Sequence, residues 1–441
     1  MTTAAVTAEI HLAGEAAAIS DACSRCGKCI DVCPVVPFNP AIAGESAAIA
    51  GSVAGFLANG APMSAAASAW TASCNGCGEC ISACPEAVNP RRMLSLAATR
   101  EAAVASKTPE LFRRMSRAIK VMLAMQLVPD DFAKLFVPPK PREAAVVFYL
   151  GCNALRTPHL LFNSMMVLDA LGVDYEAVGG PSSCCGVIAT KWQGQIATGA
   201  RVTANTMSRF ASFAPEKILN WCPTCQLHLG ETLSVARETD FSFDHLSTYL
   251  VSRHDDLVRL FSKPVERRVV LHTHVGCAEV GDAVARLLRA IPGLELLETV
   301  AESGYTCGGS GCSKSPELAA KQHAELLQRV HATRADTLVT LYHGCHASFV
   351  GEEKHGAFEV LNFTDLLAEA IGAVPHRDML KAYRLADDWD MIVEQAMPYL
   401  RANGMTITAD WLKTHGPDIF ASAEFRGGLA CFAAGAGGDA R

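Results

Sequence analysis

The sequence predicts an α+β multidomain fold: a helical N-terminal domain organised by cysteines, then two pseudo-repeated α/β domains. Three observations carry this. Cysteines fall in two runs of identical spacing before residue 85. After residue 142 the pattern changes from Ala-rich helical stretches to short apolar runs alternating with helical ones. The order of those runs, each leading to a Gly-Cys step, then recurs from Pro264. The divisions expected are 1–100 for the N-terminal domain, 101–142 for a helical connector with a Pro-rich linker, 143–263 and 264–373 for the α/β domains, and 374–441 for a helical extension and tail.

The N-terminal domain is set by Cys23-Cys26-Cys29-Cys33-Pro34 and Cys74-Cys77-Cys80-Cys84-Pro85. Both runs read C-x2-C-x2-C-x3-C-P, the spacing of bacterial ferredoxins with two [4Fe-4S] cubane clusters. Short spacers let one loop wrap three corners of a cube, and in such proteins the fourth cysteine crosses to the other cluster. The sets expected are Cys23, Cys26, Cys29 and Cys84, and Cys74, Cys77, Cys80 and Cys33. A zinc scaffold is the rival, but zinc needs only four ligands and does not use this triple run. Between the runs, residues 46–73 carry no charge. Broken by Asn59, Gly60 and Pro62, the stretch is too weakly apolar for a membrane span.

Arg91 to Ala105 reads as a helix rich in Ala, Leu, Arg and Glu. Leu111, Met115, Ile119 and Met122 then recur at helical spacing. Arg113, Arg114, Arg117 and Lys120 lie opposite, as a solvated face or a docking surface for an acidic partner. Val137-Pro138-Pro139-Lys140-Pro141 is a stiff linker. In the first α/β domain a strand from Ala144 to Leu150 ends at Gly151-Cys152, and a helix runs from about His159 to Leu171. A turn at Gly179-Gly180-Pro181 leads to Cys184-Cys185-Gly186, and a strand from Lys217 to Trp221 ends in Cys222-Pro223-Thr224-Cys225. In the second domain a strand at Val269–Leu271 leads to Gly276-Cys277, and a helix spans Val280–Ile291. Thr306-Cys307-Gly308-Gly309 follows, and a strand at Thr337–Leu341 leads to Tyr342-His343-Gly344-Cys345. The cysteines fall past the carboxyl ends of the strands, where open parallel sheets place their sites.

Cys152, Cys184, Cys185, Cys222 and Cys225 form the pattern C-x31-C-C-x36-C-x2-C. Adjacent cysteines cannot both serve one tetrahedral ion without strain, so five thiols suggest an enlarged cluster. Here the chain resembles the cysteine-rich CCG family, the catalytic subunits of heterodisulfide reductase and their relatives. A two-cluster segment ahead of a duplicated CCG segment is similar to the D-type subunit, or to the C and B subunits joined in one chain. The stretch from Cys84 to Arg91 also looks like the C-type subunit. The resemblance implies a noncubane [4Fe-4S] cluster on the five cysteines, which become the catalytic residues beneath a cleft where a disulfide is split in one-electron steps. A plain cubane with a spare thiol is the alternative. In the second copy Thr306 and Tyr342 stand where the first has Cys184 and Cys222. Cys277, Cys307 and Cys345 remain in register. They would hold a further [4Fe-4S] cluster with an open iron, or take a fourth ligand from Cys312, His343 or His346, or mark a repeat without metal.

The formal charge of the 441 residues is −7 with no basic block, which argues against a nucleic-acid partner. Eighteen cysteines in tight groups argue for metal in a reducing compartment rather than disulfides. With no signal-peptide pattern, the expected location is cytoplasmic or peripheral on the inner face of the cytoplasmic membrane. No strand–GxGxxG–helix is present, so this chain is expected to bind neither flavin nor NAD. Electrons would then pass to or from a flavoprotein or membrane quinone-linked subunit, with a disulfide or thiol as substrate. The resemblance also admits a relay role, as in the iron–sulfur subunits of glycolate and lactate oxidases and of anaerobic glycerol-3-phosphate dehydrogenase. There a separate flavoprotein oxidises the substrate. His272 and His274 share one side of a strand, as core histidines or as a proton donor to a leaving thiolate. Lys191 and Trp192 follow the CCG turn on its helix, where Lys191 would steer an anion. Cys431 reads as an unligated thiol in the tail.

Overall fold

The computed structural model of the chain describes residues 3–104, 110–232, 239–304 and 315–421. In the N-terminal domain, helices Thr3–Ala22, Ser46–Asn59, Ala65–Ser73 and Pro90–Val104 enclose two helical turns, Lys28–Asp31 and Glu79–Ser82, that carry the cysteine runs. The uncharged stretch becomes two core helices: Ile49, Val53, Leu57 and Trp70 are all buried in one cluster. Arg92 grips Glu15 with two nitrogens at 2.7 and 2.6 Å, tying the last of these helices to the first. Among the described residues no helix is long and apolar enough to cross a membrane.

Two four-stranded sheets follow. The first holds β1 (Val146–Gly151), β2 (Tyr175–Gly179), β3 (Lys217–Asn220) and β4 (Ser242–His245) in the order β2-β1-β3-β4. The second holds β5 (Arg267–His274), β6 (Leu294–Glu302), β7 (Thr337–Thr340) and β8 (Glu359–Asn362) in the order β6-β5-β7-β8. All pairings are parallel. β1 is Val-Val-Phe-Tyr-Leu-Gly and buried throughout, as a strand covered by helices on both faces requires. The edge strands β2, β4, β6 and β8 carry no such signal. β6, Leu-Glu-Leu-Leu-Glu-Thr-Val-Ala-Glu, is only partly buried and its charges mask it. In each sheet the chain order reverses beside the central strand (β1 or β5), which creates a switch point between β1 and β3 and another between β5 and β7. The sheets share one core, with Trp221 stacked on Phe363 at 5.8 Å.

Residues 101–142 do more than connect. On helix Glu110–Ala124, Ile119 and Leu123 enter the core of the α/β domains. Val121, Met122 and Ala124 join Leu380, Tyr383 and Leu400 on the C-terminal helices Met379–Ala386 and Trp389–Ala402. Arg113 and Arg114 remain exposed. Arg117 instead lies over Trp411 at 4.9 Å and Lys120 over Phe136 at 5.5 Å, so part of the basic face is closed by rings. Cys307, Cys312 and Cys431 lie outside the described residues.

His245 ends β4 and is buried. Its Nδ1 accepts from the Ser247 amide at 3.2 Å, and its Nε2 faces the Trp221 carbonyl at 3.3 Å. That pair of partners requires the neutral ring. Burial pushes His245 down to about 4 from an ordinary 6.5. Below pH 6.5 the unfolded chain therefore binds the proton first, and stability falls as pH drops from 6.5 toward 4. The full contribution is present above that window and is on the order of 3 kcal/mol. His245→Gln should reduce this slope in urea unfolding measured between pH 4.5 and 7, an interval of about 2.5 units, with the remainder carried by His159, His228 and His343, which burial also pushes down. An unchanged slope would remove His245 as its source.

Candidate metal centres

The N-terminal cysteines form two groups. Cys23, Cys26, Cys29 and Cys84 line one cavity with Pro85. Burial, and then the proximity of Cys23, Cys26 and Cys84, pushes Cys29 up to about 12. In the other group, burial raises Cys80, with Cys74, Cys77 and Cys33 adding to it. The fourth cysteine of each run thus lies beside the first three of the other. Trp70 donates its indole N–H to Cys33 Sγ at 3.4 Å. The Cys77 amide donates to Asn75 at 3.2 Å, and Asn75 donates to the Ser303 carbonyl at 2.8 Å. Ser303 also bonds Glu79, so the second cysteine loop is docked on the end of β6.

Five more thiols meet at the switch point of the first sheet. Cys152 follows β1, Cys184 and Cys185 follow β2, and Cys222 and Cys225 follow β3. Thiol contacts link Cys152 to Cys184, Cys184 to Cys185, Cys185 to Cys225 and Cys225 to Cys222. All five are buried and none is in a disulfide. Cys152 is pushed up by its bond to Cys184 and by burial, whereas Cys184 is pulled down because Cys152 and Cys185 donate to it.

Two glycines let the backbone come this close. A Cβ on Gly151, whose φ is +71°, would stand 3.0 Å from Cys222 Cβ and 3.3 Å from Cys225 Sγ. Gly186 has φ +88°, and a Cβ there would meet Thr203 Oγ1 at 2.5 Å and the Gly199 carbonyl at 2.7 Å. The Gly186 amide donates to Cys184 Sγ at 3.4 Å. Thr203 and Thr206 donate to the carbonyls of Cys185 and Cys184 at 2.7 and 2.8 Å. Tyr149 donates to the Ser183 carbonyl at 2.8 Å, and its oxygen is 3.8 Å from Cys225 Sγ. Five thiolates could not be buried together without cationic charge among them. A soft, crowded donor set in a glycine-lined cradle fits an iron–sulfur cluster.

The second sheet differs. Cys277 follows β5 and Cys345 sits on helix His343–Phe349 after β7. Burial pushes Cys277 up to about 12, with Tyr342 as a hydrogen-bonding neighbour acting the other way. His274 Nε2 is 3.1 Å from Cys345 Sγ. His272 Nε2 is 3.0 Å from Glu302. His346 faces away from this group, with Nε2 on Asp378 at 2.6 Å and Nδ1 near Thr340 at 3.5 Å. His159 completes a buried cluster with His346 and Asp378.

Sequence reasoning singled out none of Tyr149, Trp70, Thr203, Thr206 or Glu302. The threonines lie on helix Ile196–Ala211, whose own repeat gives no hint that they face the CCG turn. Lys191 and Trp192 stand on a short π-helical turn, Ile188–Trp192, separate from that helix.

Gly186→Ala should lower stability by roughly 2–4 kcal/mol, from left-handed strain plus overlap with backbone. Gly55→Ala, inside helix Ser46–Asn59 with nothing within 4 Å of the added Cβ, should instead gain about 0.5–1 kcal/mol. Anaerobic thermal unfolding of both variants reads the difference. Equal behaviour would contradict the crowding at Gly186.

Comparison with known proteins matches the same regions. Residues 22–89 match the 4Fe-4S dicluster domain family, and residues 146–230 and 271–350 each match the cysteine-rich domain family. The chain is 25% identical over 376 residues to the B subunit of fumarate reductase (CoM/CoB) from Methanothermobacter marburgensis, covering 78% of this chain and 71% of that one. It is 24% identical to the D subunit of dihydromethanophenazine:CoB–CoM heterodisulfide reductase from Methanosarcina barkeri, over 54% of this chain and 62% of that one. The corresponding protein of Methanosarcina mazei is 25% identical over the same shares. The match thus spans less than two thirds of these two heterodisulfide reductase relatives. The chain carries a 4Fe-4S dicluster domain followed by two cysteine-rich (CCG) regions, and the D subunit of heterodisulfide reductase and the B subunit of CoM/CoB fumarate reductase are its relatives at low identity.

Proposed function

We propose that this chain is the iron–sulfur subunit of a heterodisulfide reductase-like oxidoreductase, and that its two α/β domains are copies of one CCG unit. Cys23, Cys26, Cys29 and Cys84 would hold one [4Fe-4S] cubane, and Cys74, Cys77, Cys80 and Cys33 the other. Cys152, Cys184, Cys185, Cys222 and Cys225 would hold a noncubane [4Fe-4S] cluster. The observation that carries this reading is the convergence of five buried, unbridged thiols at one switch point. Such clusters, when bound, supply one-electron transfer and, at the five-thiol pocket, iron with affinity for substrate sulfur.

The chain's own groups set the conditions. Thr203 and Thr206 fix the carbonyls of the CCG turn, so its two sulfurs keep one orientation. The N–H groups of Gly186 and Trp70 point at Cys184 and Cys33, and such donors raise the reduction potential of a cluster on those sulfurs. Burial, with Cys225 next, raises Tyr149, so its proton stays in place beside Ser183. His228 is pushed down to about 4 by burial and is neutral near Cys184 at pH 7.

The substrate class is a thiol pair and its mixed disulfide, since the relatives' names pair CoM and CoB with a heterodisulfide reductase and a fumarate reductase. Those relatives are named as subunits, and a flavoprotein or quinone-linked partner would exchange electrons with this chain. Cys185→Ser should abolish disulfide turnover driven by a reduced viologen dye, while both N-terminal cubane signals persist in electron paramagnetic resonance. Turnover retained in that variant would refute a catalytic five-thiol pocket.

A further inference from the structure

Among the described residues the five-thiol set is not repeated in the second sheet, and the group found there has a chemistry of its own. Where the first sheet places cysteines after its central strand and the next, the second places His272 and His274 at the end of β5, Cys277 just after it and Cys345 after β7. One ligand atom from each of His272, His274 and Cys345 lies within 4.8 Å of the others, and all three residues are buried. Glu302, on the neighbouring strand, reaches His272 Nε2 at 3.0 Å. Tyr342 occupies the position that Cys222 holds in the first domain, and its ring lies parallel to His274 at 6.5 Å. Phe349 packs edge-on against His272 at 5.0 Å.

We propose that the second CCG domain binds a single dication of the zinc type through His272, His274 and Cys345, with Glu302 as the carboxylate that orients His272 and balances charge. The donor types fit. Two imidazoles and one thiolate form a borderline-soft set of the kind zinc takes. The charges fit as well. One thiolate and one carboxylate neutralise a dication, in a pocket where unbalanced charge is costly. A carboxylate against a ligating histidine is the usual device that sets ring orientation. His272 Nδ1 and Glu302 Oε1 are buried polar atoms of this group, and His272 lies within reach of the Cys345 thiol. The set supplies three protein ligands, so the fourth position of a tetrahedral ion would be taken by water. It sits one residue from Ser303, the docking point of the second ferredoxin-type loop, so the ion would stiffen the platform on which that loop rests.

The test is metal analysis of the full-length chain purified anaerobically, independent of turnover. The expected content is about one zinc per chain beside the iron of the other sites. His274→Ala and Cys345→Ser should each lose that zinc with iron unchanged. Because those variants could fold poorly, wild-type protein grown with Co2+ in place of Zn2+ provides a second reading. It should show thiolate-to-cobalt charge transfer and the visible bands of a four-coordinate ion. A loss of about four irons in Cys345→Ser would overturn the proposal in favour of a cluster. So would folded wild-type protein with neither zinc nor cobalt bands.

Discussion

Burial of cysteine sulfur is the constraint around which this chain is organised. A thiolate removed from water is unstable unless positive charge and N–H donors replace its hydration. Burial first, and then neighbouring thiols and carboxylates, push Cys29, Cys77, Cys80 and Cys277 upward as free thiols, the direction that bound metal reverses. The fold brings thiols together in places where such charge can be held. In the N-terminal domain, tight turns wrap around a cavity. In the first α/β domain, three segments arrive at one switch point from three different strands.

The two sheets show how far a common frame constrains chemistry. Strand order and direction are the same, so chain segments after the central strand and its neighbour meet at equivalent places. What they deliver there is set by side chains: five thiols in one sheet and, among the described residues of the other, Cys277 and Cys345 with two imidazoles and a carboxylate. The first set demands close backbone approach, and Gly151 and Gly186 provide it with left-handed φ values.

Much of this was legible in the sequence because cysteine spacing encodes loop geometry directly. The crossed grouping of Cys33 and Cys84 follows from a two-cluster spacing, and β1 announces itself as an unbroken apolar run, whereas β5 shows only Val269–Leu271 of its eight residues as one. The edge strands did not, because β2 and β6 interleave Glu with apolar residues and lie partly exposed. Helix Thr3–Ala22 was also illegible, since a nearly uniform Ala-rich stretch has no face to read. At the sites, the missed residues share one property. Tyr149, Thr203 and Glu302 act across strands or helices far apart in sequence, and only the tertiary fold puts them beside sulfur. His272 and His274 were visible as a same-side pair and Cys345 as a candidate ligand, but their meeting beside Glu302 was not.

The proposed function would require the domains to be held rigidly, and polar clasps join them. Asn75 and Glu79 fasten the second cysteine loop to Ser303 at the end of the second sheet. At another junction His159 of the first α/β domain and His346 of the second both face Asp378 of the C-terminal extension, at 3.3 and 2.6 Å. Burial works to raise Asp378, but the two histidines outweigh it and hold the carboxyl below its usual range. A buried charged clasp adds little net stability once desolvation is counted, yet a misplaced domain would leave that charge unpaired. Such a cost falls on wrong arrangements more than on the right one. Its effect is therefore to fix the spacing between the cysteine groups, and that spacing decides whether they can work as one path.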